Sequence, residues 1–295
     1  MSRDSRCWWF AAAALFIAAC SADSDGGQAP NDAGAGVDGA PPADDAGLAN
    51  ADADADAPGM TDANNATDTT SADAVFQPLF NGVDFTGWDR YLGIPNGGTA
   101  ALGTDNDPRG VYSLVTVDGE PAVRISGEVW GALISQKEYC SFHLRGQFKW
   151  GTLSWPPLNS QDSGIMYLST GLLGAVNAGG DALSNPIGSG AFMVSMEYQL
   201  TPSDTGGMYN LGPISFQNAG STVTPAQVGV WNQIEIIVQG GAAQHLLNGQ
   251  PVSSGLGFRL NWPGQATQDL SCGKLQVQSE GGEIFFRRLQ IAALP

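Results

Sequence analysis

Phe142-His143-Leu144-Arg145-Gly146-Gln147-Phe148-Lys149-Trp150 and, further on, Phe192-Met193-Val194-Ser195-Met196-Glu197-Tyr198-Gln199-Leu200 alternate apolar with polar residues almost throughout. In the first, Phe142, Leu144, Phe148 and Trp150 fall on one side, and His143, Arg145, Gln147 and Lys149 on the other. In the second, Phe192, Val194, Met196, Tyr198 and Leu200 oppose Met193, Ser195, Glu197 and Gln199. A period of two is that of a strand with one buried and one polar face. Between them Asp162-Ser163-Gly164-Ile165-Met166-Tyr167 reads as a third, shorter strand that begins on an acid. If the three share a sheet, Lys149, Asp162, Glu197 and Gln199 converge on one surface, the expected functional site.

The flanking sequence has the same character. Asp118-Gly119 separates two apolar runs, and Asn248-Gly249 separates two more. Both dipeptides suit tight hairpins, because they tolerate the left-handed backbone that such turns require. Residues 228–239 read as a strand, and 273–280 with 283–291 as a closing strand pair joined by Gly281-Gly282. The Gly-rich stretch 171–190 reads as a loop over one sheet edge. No stretch holds a 3.6-residue period over three turns. The expectation is an all-β sandwich of antiparallel strands, a jelly-roll with one concave sheet.

The formal net charge of −17 is unevenly placed. Residues 21–75 hold twelve Asp and no Lys or Arg, in an Ala/Asp/Gly/Pro-rich sequence that includes Ala51-Asp52-Ala53-Asp54-Ala55-Asp56. Such a segment lacks the apolar surface to offset the entropy of ordering. It reads as a disordered tether. The remainder, 76–295, is long enough for one domain with a full core. Acidity confined to a tether argues against nucleic-acid binding.

Residues 1–20 form a targeting segment. Arg3 and Arg6 precede an apolar run from Trp8 to Ala19 that ends in Ile17-Ala18-Ala19-Cys20. The run is short for a bilayer span, which needs about 20 residues. It resembles a bacterial lipoprotein signal, with Cys20 as the lipidated residue; the alternative is an ordinary secretory signal. The lipoprotein reading expects a lipid-anchored protein of the cell envelope, on the periplasmic side or the outer surface. Cys140 and Cys272 then lie in an oxidising setting, where a disulfide and two separate thiols both stay open. No ligand spacing typical of a metal site is present.

Several motifs in order resemble one family. They include Leu79-Phe80-Asn81-Gly82 with Gly87-Trp88, Gly127-Glu128-Val129-Trp130-Gly131, Phe148-Lys149-Trp150-Gly151 and Asp162-Ser163-Gly164-Ile165. Glu197-Tyr198-Gln199-Leu200, Asp204-Thr205-Gly206-Gly207-Met208-Tyr209 and Leu275-Gln276-Val277-Gln278-Ser279-Glu280-Gly281 follow. The chain resembles the 3-keto-disaccharide hydrolase family from about Phe76 to its C-terminus. That resemblance implies a concanavalin-like jelly-roll acting on glycosides oxidised at C3. This chain departs from the family pattern at Leu168, Gln147 and Gly207. No cofactor is called for, and a divalent metal stays open.

A 3-keto group acidifies the C2 proton, so the C1 substituent leaves by β-elimination and water adds back. The chemistry needs a base, a stabiliser for the enolate, and an acid at the leaving oxygen. The resemblance casts Glu197 as base, Lys149 as enolate stabiliser, and Asp162 or Tyr209 as the leaving-group acid. Gln199, Gln278 and Glu280 are expected to hold sugar hydroxyls, with Trp130 or Tyr167 stacking on the ring. A Glu197–Lys149 ion pair is the plain structural alternative. Gln276 and Gln278 would more commonly be solvent-facing, and His143 and His245 surface residues. A non-catalytic carbohydrate-binding module is the alternative function.

Overall fold

The structure is a computed structural model that describes residues 75–176, 190–222 and 225–295. The targeting segment, Cys20, the tether up to residue 74 and most of the 171–190 loop lie outside the described residues. Every regular element described is a strand: β1 (Gln77–Pro78), β2 (Trp88–Leu92), β3 (Gly103–Thr104), β4 (Tyr112–Val117), β5 (Glu120–Ile125), β6 (Gly131–Tyr139), β7 (Phe142–Ser154), β8 (Ser163–Thr170), β9 (Val194–Leu200), β10 (Thr205–Leu211), β11 (Ile214–Ser221), β12 (Asn232–Gln239), β13 (Ala242–Leu247), β14 (Gln250–Leu260), β15 (Gln268–Asp269), β16 (Gly273–Ser279) and β17 (Gly282–Ala293).

They form two antiparallel sheets. The first runs β11-β14-β13-β12-β7-β17-β5-β4, with β1 on β17 and β15 on β14. The second runs β10-β9-β8-β16-β6-β2-β3. This is the expected jelly-roll sandwich. The hairpin dipeptides behave as their chemistry requires. Asp118 and Gly119 have φ of 52° and 79°, and Asn248 and Gly249 have 51° and 77°. Two successive left-handed residues match the twist of the flanking strands. Asn248 adds a side-chain bond, its Oδ1 accepting the Gln233 amide at 2.8 Å.

The core lies between the sheets. Phe142, Leu144, Phe148 and Trp150 from β7 meet Val194, Met196, Tyr198 and Leu200 from β9, all buried. The alternation is therefore as read. The other face of β9 is covered as well: Ser195 and Glu197 are buried, as is Met193 just before the strand. Two tyrosines of the second sheet reach across the core. The Tyr198 hydroxyl donates to the Leu246 carbonyl at 3.0 Å, and the Tyr167 hydroxyl meets His245 Nε2 at 3.0 Å.

Two expectations change, and one open alternative is decided. β7 does not share a sheet with β8 and β9; it lies between β12 and β17 in the first sheet. Alternation specifies a strand's two faces but not its neighbours, which are chosen by contacts distant in sequence. Likewise β16 and β17 are not a pair. β16 lies between β8 and β6, and β17 beside β7 and β5, so the chain changes sheets at Gly281-Gly282. Gly281 has φ of 87°, and a side chain on Gly282 would strike the backbone of Gln161 and Asp162. Finally, Cys140 and Cys272 are joined in a disulfide that ties the turn after β6 to the start of β16.

Candidate carboxyl site on the second sheet

The outward face of the second sheet is organised around Gly164. On β8 this residue pairs with Gln199 of β9. With no side chain on this residue, the space where one would stand is taken by Glu197 and Gln278. A Cβ there would collide with the Glu197 carboxylate and lie 2.8 Å from Gln278 Oε1. Glycine is required at this position for close approach, because Glu197 and Gln278 lean over it from the strands on either side. Asp162, two residues earlier, precedes β8, and Glu280 follows β16. Both act electrically on Glu197 or are acted on by it.

Glu197 is only 5% exposed and Glu280 7%. Burial raises the Glu197 carboxyl to about 8, with repulsion from Asp162 and Asp204 adding to it. Burial also raises Asp162 to about 7, opposed by the Ser163 amide that hydrogen-bonds its carboxylate. Glu280 is pushed well above the usual carboxylate range by burial first, then by Asp162 and Glu197. No Lys or Arg acts on any of the three. Desolvation and like charge both favour the neutral acid, so this cluster retains protons at neutral pH.

The open side of the site is built by the turn between β9 and β10. Tyr209 sits opposite Glu197 on β10, is 47% exposed, and donates its hydroxyl to Asp204 at 2.6 Å. That bond is the main reason the Tyr209 phenol is pushed up to about 12. The turn is pinned from inside the core. The register slips between Thr205 and Met208, and the carbonyl of Gly206 within that slip accepts from His245 Nδ1 at 3.0 Å and from the Ser253 hydroxyl. With Nδ1 donating, Nε2 accepts the Tyr167 hydroxyl. His245 is fully buried, and burial lowers it to about 4, so it works as a neutral ring. Gly206 has φ of 93°, and a side chain there would strike Val252.

The structure sorts the expected residues. Asp162, Glu197, Gln278, Glu280, Gln199 and Tyr209 lie on this one face or its rim. Gln199 folds back, its Oε1 accepting the Leu200 amide at 3.0 Å. Trp130 stands just before β6, partly buried against the core, with its carbonyl taking the Gly93 amide at 2.8 Å. Lys149 is not there. Phe148 and Trp150 point into the core, so Lys149 faces outward from the first sheet, whereas Glu197 faces outward from the second. Lys149 instead donates to Asp118 at 3.2 Å and stands over the Trp231 ring at 5.8 Å. Neither the enolate-stabilising role nor the Glu197–Lys149 pair survives this geometry. Tyr167 is a core residue bound to His245, not a sugar platform. Gln276 and Gln278 are buried rather than wet: Gln276 takes the Met193 amide at 3.1 Å and donates to Ser169 at 2.9 Å.

Sequence reading missed two residues. Asp204 lies within a quoted motif but beside small and polar neighbours, and nothing local marks it as charged company for Glu197. His245, expected at the surface, is fully buried where β13 meets the core; the face it shares with Ala243 and Leu247 was the available signal. Among the described residues no group of three or more His, Cys, Asp or Glu is arranged to hold a metal ion. An apolar cleft of about 240 Å3 lined by Pro78, Phe80, Leu114, Pro121 and Phe286 contains none of the carboxyl cluster, and its rim charges, Glu120 with Arg287 and Arg288, pair with each other.

A family model for the 3-keto-alpha-glucoside-1,2-lyase-like domain matches residues 75–292. No curated protein matches the chain. Among solved structures, a candidate glycosyl hydrolase of Parabacteroides distasonis is similar at 21% identity, over 75% of this chain and 94% of that one, with a TM-score of 0.44. A Bacillus subtilis protein with a galectin-like fold is similar at 10% identity, over 74% and 94%, with a TM-score of 0.45. The carbohydrate-binding module CBM66 of Bacillus subtilis is similar at 10% identity, over 62% and 92%, with a TM-score of 0.36. With its family model spanning nearly all of the described sandwich, the chain is a carbohydrate-active protein and belongs to the 3-keto-alpha-glucoside-1,2-lyase-like domain family.

Proposed function

We propose that the protein cleaves glycosides whose sugar is oxidised at C3, using the Asp162–Glu197–Glu280 cluster. The observation that carries this reading is three carboxyls gathered beside Gly164 with no cation among them. Asp162 and Glu197 share proton chemistry: one member, ionised, takes the C2 proton, and the other gives a proton to the leaving C1 oxygen. The electron pair of the C2–H bond moves into the C1–C2 double bond as the C1–O bond breaks. Water then adds to that double bond, with the same two carboxyls working in reverse. Coupled acids near neutral pH suit both halves, since a proton relay works best with a pKa close to the working pH.

Glu280, pushed well above the usual carboxylate range by burial, remains protonated and donates its O–H to the C3 oxygen as negative charge grows there. A neutral carboxylic acid in an apolar setting is a good donor to a forming enolate. It takes the task that Lys149 is placed too remotely to perform. Asp204 and Tyr209 hold the sugar at the open side.

The test is turnover of a 3-keto-glucoside. Glu197→Gln and Asp162→Asn are each expected to lower kcat by roughly 10²–10⁴-fold, the usual worth of general acid–base help. Unchanged turnover by either variant removes that residue from the mechanism. Sugar binding without product by the unaltered protein favours a binding module instead. A lipid anchor at Cys20 belongs to the same proposal, supported by the small residues that precede it. Cys20→Ala should then release the protein from membranes.

A further inference from the structure

The acceptors on this face outnumber the donors. Asp162 Oδ1, Glu197 Oε1, Asp204 Oδ1 and Gln278 Oε1 are buried without a hydrogen-bond partner. The fifth such side-chain atom among the described residues, Trp150 Nε1, is a donor. Buried polar atoms in folded proteins are nearly all satisfied, so a cluster of unsatisfied ones asks for an outside partner. All four here are oxygens, and each carboxyl that ionises leaves one donor fewer among them, so ionisation favours a partner that donates. Gln278 is the independent sign: it is an uncharged side chain, 1% exposed, whose oxygen points over Gly164 toward Glu197. No hydrogen bond meets that oxygen.

The charge balance has the same direction. Asp162 and Asp204 act on Glu197, Asp162 and Glu197 act on Glu280, and no Lys or Arg acts on Asp162, Glu197 or Glu280. At the rim, Tyr209 donates its one proton to Asp204 Oδ2 and has none left for a ligand anion.

We infer that this face selects its glycoside by charge, taking sugars that carry an ammonium group ahead of neutral ones and rejecting uronates. The inference rests on the reading of this face as the sugar site and narrows what that site takes. An ammonium brings three N–H donors and a positive charge to four orphan acceptors. A hydroxyl brings one donor and no charge. A uronate brings another carboxylate into a group already crowded with them, and no donor there receives it. Burial and mutual repulsion hold Glu197 near 8 and Asp162 near 7. A bound cation favours the ionised member of the pair while the other keeps its proton.

Calorimetric titration of the full chain with methyl glucosaminide, its N-acetyl derivative, methyl glucoside and methyl glucuronide at pH 7 tests this. The free amine is expected to bind about tenfold tighter than the glucoside or the N-acetyl sugar, and the glucuronide at least about tenfold weaker, the scale of one charge-assisted hydrogen bond made or broken. Asp204→Asn should shrink the ratio of amine to glucoside affinity, a ratio taken within the variant so that any loss common to both sugars cancels. Equal affinities across the series, tighter binding of the uronate, or no binding by any member overturns the inference. Turnover of a neutral 3-keto-glucoside is a separate reading. Loss of turnover with the charge order intact sinks the lyase proposal alone, and turnover without the charge order sinks this inference alone.

Discussion

Glu280 and Glu283 stand three residues apart, each 7% exposed, on opposite sides of the sandwich. Glu283, on the first sheet, meets Arg124 at 2.7 Å and accepts the Thr152 amide at 3.1 Å. Glu280, on the second, meets Asp162 and Glu197. The contrast extends over both outer faces. On the first, Glu120 holds Arg287 and Arg288, Asp118 holds Lys149 and Trp231, and Glu235 holds His143. Arg287 also lies over Trp231 at 4.0 Å. Hydrogen bonds from Trp231 and Lys149 keep Asp118 below the usual carboxylate range, and one from Arg288 does the same for Glu120. On the second face the same chemical group is moved upward. Exposure alone therefore does not tell a structural acid from a chemical one; the sign of its neighbours does.

The largest expected effect breaks or keeps that contrast directly. Lys149→Met should leave turnover of a 3-keto-glucoside nearly unchanged, while Glu197→Gln removes roughly 10²–10⁴-fold. Equal losses from the two would mean that the first face takes part in the chemistry.

Next is the staple between the sheets' neighbouring turns. Cys140→Ser with Cys272→Ser should cost roughly 2–4 kcal/mol of stability, read as a lower urea midpoint. The separation of 132 residues makes the closed loop long. No shift would mean that packing alone holds the turn after β6 to β16.

The pH dependence of stability sharpens the comparison further. Glu197, Asp162 and Glu280 have folded pKa values above their unfolded ones, so the unfolded chain gives up these protons first. Their contribution is fully present below about pH 4 and is lost as pH rises toward about 8. Glu197→Gln should therefore stabilise the protein at pH 8, by roughly 2–4 kcal/mol at about 1.4 kcal/mol per unit, and change little at pH 4. Asp118 and Glu120 are lowered, so their contribution is present at neutral pH and lost as pH falls. His245 acts in that same acid direction: its folded pKa of about 4 lies below 6.5, and its contribution fades as pH drops between those values. A Glu197→Gln difference in melting temperature that does not grow from pH 5 to pH 8 would mean that the carboxyls are not forced together.

The smallest effect lies far from either face. Asn248→Ala should cost about 1–2 kcal/mol, because alanine resists a left-handed backbone and loses the bond to the Gln233 amide. Asn248→Gly should restore most of it.

Much of this molecule was legible in order of residues. The alternation in 142–150 and 192–200 named the core faces of β7 and β9. Asp118-Gly119 and Asn248-Gly249 named two hairpins, because turn geometry depends on residues next to each other. Those are local matters: a period of two and a left-handed dipeptide need no knowledge of what packs against them. The position of Glu197 on the polar side of its strand followed from the same arithmetic. Whether that polar side met water, a cation or another acid did not. Tertiary structure alone put Lys149 across the sandwich, sent β16 and β17 to different sheets, buried His245 under Gly206, joined Cys140 to Cys272, and brought Asp204 to Glu197. Each of those outcomes depends on which distant strands become neighbours, and the long-range packing that decides it leaves no periodic mark within any one strand.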